Sequence, residues 1–115
     1  MEAMMARLNY LELPVTDPAR AKAFYSSAFG WNFMDYGPTY AATTYGSADV
    51  GLQADPAERT PALLPVIKVD DLDAALAAVE QAGGRVTKPI FAFPGGRRFQ
   101  FADPDGHELG VVQSG

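Results

Sequence analysis

A chain of 115 residues, nearly half of them hydrophobic and a fifth charged, is enough for one domain with one core. Its net charge of −5 argues against a nucleic-acid partner, because duplex binders present a basic stripe and here only Lys88, Arg97 and Arg98 cluster loosely. The absence of cysteine excludes disulfides, thiolate metal ligands and cysteine nucleophiles together, and fits a reducing, cytoplasmic setting.

The opening MEAMMARLNY lacks the long apolar stretch of a signal peptide and is expected to fray before Leu8. No apolar run approaches the ~18–20 residues of a membrane span, so no membrane partner is expected. LNYLELPV then reads as a strand. Asp17 follows at an N-cap position, where its carboxylate can accept a backbone N–H of the first helical turn, and Pro18 sits where a missing N–H costs nothing. Ala21, Phe24, Tyr25 and Ala28 fall at helical spacing and predict one apolar face, and Gly30 ends the helix. Strands are predicted over 32–36, 40–45 and 50–53. The polar, proline-bounded ADPAERTP reads as a linker over 54–61. LLPVIKV is the next strand. Asp71 caps a second helix with Leu72, Ala75, Leu76 and Val79 on its apolar face, and Gly83-Gly84 stops it. Three more strands are predicted over 85–87, 97–102 and 108–113, with PGG and DPDG as turns.

The chain is written twice. Laid over VDDLDAALAAVEQAGGR, the segment VTDPARAKAFYSSAFGW matches Val15 to Val69, Asp17 to Asp71, Ala21 to Ala75, Ala23 to Ala77, Ala28 to Ala82 and Gly30 to Gly84, all at one offset of 54 residues. The fold class is therefore α+β: two tandem βαβββ modules, over 8–53 and 62–113, in a single domain over 1–115. Neither half could bury its sheet face alone. Together they are expected to form a curved mixed sheet around a cleft, with the helices on the outer face.

These segments, with FADPDGHELGVVQ at the end, resemble the vicinal oxygen chelate superfamily, the glyoxalase/bleomycin resistance protein/dioxygenase group. The resemblance covers nearly the whole chain. It implies paired βαβββ modules enclosing a cleft, often in dimers, so a homodimer is expected. It does not fix the reaction, because one fold hosts many chemistries.

Metal-dependent members of that family carry one ligand on each of four strands. By the resemblance, those positions fall on Tyr10, Gly51, Leu64 and Gly110. One phenol with two glycines and a leucine does not make a divalent-metal site, which needs histidine, carboxylate or thiolate donors. No metal and no cofactor is therefore expected. His107 is out of phase with Gly110 by strand parity and is expected at the turn. A carboxylate-only set of Glu12, Asp49 and Glu108 is the alternative, suited to Mg²⁺ or Ca²⁺.

Parity along the strands gives the expected ligand cleft: Tyr10, Glu12, Gly51, Leu64, Val66, Lys68, Glu108 and Gly110, closed by aromatic side chains that include Phe99 and Phe101. Trp31, Phe33, Tyr36, Tyr40, Phe91 and Phe93 are further aromatic candidates. The opposite faces, with Leu11, Leu13, Leu52, Ile67, Val69, Leu109 and Val111, are aliphatic, as helix-packed faces should be. Such a cleft suits a small organic molecule with an apolar body and a few polar handles. Glu12 is the candidate catalytic residue, since desolvation of a mid-strand carboxyl is how a general acid or base is made. The alternative is that Glu12 is structural and pairs with Lys68 or an arginine. Arg97 and Arg98 beside Gly95-Gly96 either meet an anionic ligand or are solvated on a hairpin turn. Three functions follow. The first is a small-molecule-binding protein lacking the family's metal ligands. The second is a metal-independent enzyme using Glu12. The third is a metal-dependent lyase, isomerase or dioxygenase, for which the ligands are missing.

Overall fold

The computed structural model describes residues 6–115 and contains eight strands and two helices among them. Fraying before Leu8 falls partly outside the described residues. Where it can be compared it does not hold, because β1 already begins at Ala6 (Ala6–Pro14). No helix among the described residues is long and apolar enough to cross a membrane. The chain divides into two compact units. One covers residues 9–64; the other covers 65–115 and takes in the start of β1 at 6–8.

The first unit contains β1, α1 (Pro18–Phe29), β2 (Met34–Asp35), β3 (Tyr40–Ala42) and β4 (Asp49–Gln53). Its strands lie in the order β2-β3-β4-β1. The pair β1/β4 is parallel, with Tyr10 opposite Asp49 and Glu12 opposite Gly51; β3/β4 is antiparallel, with Ala42 opposite Gly51. The second unit repeats the plan with β5 (Leu64–Val69), α2 (Leu72–Gln81), β6 (Arg85–Phe93), β7 (Gly96–Ala102) and β8 (Glu108–Ser114), ordered β5-β8-β7-β6. Both halves are βαβββ, as the repeat predicts, and the helices start 54 positions apart. Both predicted caps form. The Asp17 carboxylate accepts from the Arg20 N–H at 3.2 Å and that of Asp71 from the Ala74 N–H at 3.0 Å.

The aliphatic parity face is the core of the second unit. Val69, Leu72, Ala75, Phe99 and Val111 are buried together, with Ile67, Leu76, Val79 and Phe101 packed against them. The equivalent expectation fails for α1. None of its residues is buried, and Phe24 and Phe29 are 60% and 64% exposed. Its rings pack instead on one another and on the following segment. Tyr25 stacks on Trp31 at 5.4 Å between centroids, and Trp31 meets Phe33 at 6.5 Å.

Three strand lengths also differ from expectation. The segment over 32–36 is a strand only at Met34–Asp35 and that over 40–45 only at Tyr40–Ala42, whereas β6 runs on from Thr87 to Phe93. Pro89 within it lacks an amide hydrogen to give to a neighbouring strand. It is tolerated because β6 pairs only with β7, and because the β6/β7 register shifts on either side of Lys88. The stretch 54–61 is no loose tether, since the Arg59 guanidinium donates to the Val15 carbonyl at 2.9 Å.

Candidate functional site

Tyr10 and Glu12 lie two residues apart on β1 and so project from the same face. Tyr40 from β3 joins them. The Tyr40 hydroxyl donates to Glu12 Oε1 at 3.2 Å, and the Tyr10 and Tyr40 hydroxyls are hydrogen-bonded to each other. Glu12 is 2% exposed, among the largest fully buried side chains of the molecule. A carboxyl group that deep needs hydrogen-bond partners, and the phenol of Tyr40 supplies one. Gly51 makes the arrangement sterically possible. A Cβ at this position would overlap both tyrosine hydroxyls, so the absence of a side chain on β4 is what leaves room for them.

A second polar group stands on the face of β7 that carries Arg98 and Gln100. Gln100, 4% exposed, donates to Glu108 Oε2 at 2.9 Å and accepts from the Arg98 guanidinium at 2.8 Å. Thr87 on β6 donates to the same Glu108 oxygen at 2.8 Å. The Phe91 ring lies beneath two cations, Lys88 Nζ at 4.5 Å and the Arg98 guanidinium carbon at 5.4 Å from its centroid.

The expected site residues are distributed as follows. Tyr10, Glu12 and Gly51 come together as one cluster, completed by Tyr40, whose hydroxyl role was not foreseen. Leu64, Val66 and Gly110 are buried, Glu108 belongs to the Gln100 group, and Lys68 is exposed. Phe99 and Phe101 are corrections to the expected ligand cleft. They occupy the opposite face of β7, in the core against α2, with ring centroids 6.3 Å apart. His107 is exposed in the DPDG turn, where its backbone N–H donates to Asp103 Oδ1 at 2.9 Å. Arg97 is not solvated alone but pairs with Asp73 at 3.3 Å, an exposed contact of little energetic weight.

Of the four positions that the family resemblance assigns to ligands, only Tyr10 carries a donor side chain, and its hydroxyl is engaged with Tyr40. The carboxylate-only alternative fails at Asp49. Oδ1 accepts from Thr43 Oγ1 and the Tyr45 N–H, each at 2.6 Å, and Oδ2 accepts from the Gly46 N–H at 2.7 Å. Asp49 is thus the clamp of the β3–β4 turn. Among the described residues, no three histidine, cysteine or acidic side chains gather in a way that could hold a metal ion.

The clamp has a pH signature. Burial raises the Asp49 carboxyl, but the hydrogen bonds from Thr43, Gly46 and Tyr45 outweigh it, so the group titrates below the ordinary aspartate value of 3.8. A depressed folded-state value stabilises the fold above the unfolded value, and that contribution is lost as pH falls through the folded one. Asp49→Ala is therefore expected to lower stability by about 1–2 kcal/mol at neutral pH. The deficit should shrink below pH about 4, as read from urea midpoints of both proteins against pH. A deficit that stays constant into acid would contradict the clamp.

The family model described as the Glyoxalase/Bleomycin resistance protein/Dioxygenase superfamily matches residues 7–111. The Mycobacterium tuberculosis protein named "Putative glyoxylase CFP32" is 34% identical over 117 residues, which cover 92% of this chain and 45% of the relative. The chain thus spans about half the length of the curated relatives it matches. Among solved structures, the Mn(II)-bound glyoxalase from Novosphingobium aromaticivorans is 26% identical with a TM-score of 0.69, over 95% of this chain and 40% of that one. The methylmalonyl-CoA epimerase from Mycobacterium tuberculosis is 17% identical with a TM-score of 0.77, over 95% of this chain and 88% of that one.

Proposed function

Because this chain belongs to the Glyoxalase/Bleomycin resistance protein/Dioxygenase superfamily, we propose that it binds a small organic molecule and does so without a divalent metal. The observation that carries the reading is Gly51. At a position where metal-dependent relatives are expected to carry a ligand, this chain has no side chain, and two tyrosine hydroxyls take up the space. A buried carboxyl and two phenols offer polar handles for such a molecule. Protein purified without chelator should hold well under one metal per chain by elemental analysis, and its melting temperature should not move on adding Mn²⁺, Ni²⁺ or Zn²⁺. Stoichiometric metal would end this reading. A single domain over 1–115, a homodimer and a cytoplasmic location belong to the same proposal.

A second reading rests on Glu12, which is buried and yet hydrogen-bonded to Tyr40. That pairing suits a general acid or base acting on a small carbonyl compound. Glu12→Gln should then abolish turnover and leave the fold unchanged by circular dichroism. Undiminished turnover would leave Glu12 with a binding or structural role only.

A further inference from the structure

The two helices of the repeat differ in what they bury. α2 seals Leu72 and Ala75 into its unit, whereas α1 buries nothing. The rings of α1 form a continuous cluster all the same. Phe24 meets Tyr25 edge-on at 5.0 Å, Tyr25 stacks on Phe29 at 6.5 Å, and Phe29 meets Trp31 at 5.7 Å. Ser26 fastens the helix to the segment that follows, its hydroxyl donating to the Trp31 carbonyl at 2.7 Å. Tyr45 borders the cluster, since its hydroxyl accepts from the Asn32 N–H at 3.1 Å. Phe24, Phe29 and Tyr45 are 60%, 64% and 56% exposed. Aromatic rings gathered in the open in this way mark a surface that another macromolecule covers.

We propose that this face of α1 is the docking surface for a second copy of the chain, two α1 helices packing antiparallel across a two-fold axis. The inference names the surface of the homodimer put forward above and rests on that reading. Charge, shape and area select a copy over a foreign partner. The segment from Ala23 to Met34 carries no charged residue, and Lys22 and Asp35, which bound it, are paired with each other at 2.6 Å. Copies of a chain with a net charge of −5 repel one another, so they meet most readily on an uncharged face. Phe24, Ser27 and Ala28 stand at i, i+3 and i+4, so a large ring lies beside two small side chains on one exposed face. Such a face complements itself. A two-fold axis sets Phe24 of each copy over Ser27 and Ala28 of the other. The three exposed rings present on the order of 300–400 Å² of apolar surface. Two copies, with the small residues between the rings, come to the ~1,000 Å² total at which specific interfaces begin.

Trp31 reports on this surface, because it is the single tryptophan of the chain and lies 5.7 Å from the Phe29 ring. Sedimentation velocity and Trp31 emission are read on the full chain across one dilution series, from high-micromolar to nanomolar. A dimer that dissociates on dilution is expected, with Trp31 emission moving to longer wavelength over the same range. Phe24→Glu is expected to weaken association about 30-fold or more, while circular dichroism stays that of the parent because the side chain is exposed. Should it misfold, Ser27→Arg, which fills the space between the rings, carries the same expectation. A dimer undiminished by the substitution, or one that dissociates with no change in Trp31 emission, overturns this surface and leaves the homodimer standing. A chain that sediments as a monomer at the highest concentration overturns the surface and the homodimer together. Small-molecule binding is read separately, by ligand titration, and does not depend on either result.

Discussion

Gly51→Ala should destabilise the protein by about 1–3 kcal/mol and disrupt the Tyr10–Tyr40 pair, a large effect for the addition of one methyl group. The strand cannot shift to make room. Within its unit β4 lies between β3 and β1, and Gly51 is in register with Ala42 on one side and Glu12 on the other. Both tyrosine side chains must therefore swing away. Tyr40 then gives up its bond to Glu12, and a carboxyl that is 2% exposed loses that donor. The steric cause can be separated from the general cost of a larger residue in a strand. Gly51→Ala placed on a Tyr10→Phe, Tyr40→Phe background should cost less than on the native one, because the overlapping hydroxyls are already gone. Urea unfolding of the four proteins closes the cycle. An additive result, or a Gly51→Ala protein as stable as the parent, would mean that the glycine is not what makes room for the phenols.

Phe99→Ala should be the most damaging single truncation, at about 3–5 kcal/mol. Phe99 is fully buried among Val69, Leu72, Ala75 and Val111, and its ring lies 6.3 Å from that of Phe101. Its removal leaves a cavity that close-packed neighbours on α2 and β8 can only partly fill. The same substitution distinguishes the two places Phe99 could occupy. A residue lining a ligand cleft would, on truncation, change ligand affinity and spare stability. A residue locking α2 to its sheet would lower the thermal midpoint sharply. The second outcome is expected, and a midpoint within a degree or two of the parent would return Phe99 to the cleft.

Much of this architecture is legible in the residues because its signals are local. Asp17 and Asp71 stand directly ahead of their helices, and each cap forms within three residues. The alternation in LPVIKV and ELGVVQ places Val69, Ile67 and Val111 on the helix side, where they are found. The failures have physical reasons. Phe99 and Phe101 were assigned to the cleft as aromatic residues rather than by their own alternation with Arg98 and Gln100. Phe24 and Phe29 have core-like chemistry, yet α1 buries none of its residues, and helical spacing cannot report whether a face finds a partner. Tyr40 meets Tyr10 across thirty residues of chain, a pairing that only the β3/β4/β1 register creates. The Asp49 clamp, by contrast, is local. GSAD over 46–49 reads as a turn, and Asp49 was weighed as a metal ligand only as an alternative; what the sequence did not show is that its carboxylate gathers Thr43, Tyr45 and Gly46.

The proline within β6 has a consequence for solubility. A long outer strand with free amides is an invitation to cross-β growth between molecules. In β6, Pro89 lacks an amide hydrogen, the irregular pairing around Lys88 bends the backbone, and the lysine sets a positive charge nearby. These features deny an incoming strand a continuous template, so concentrated solutions should resist fibril formation along that margin.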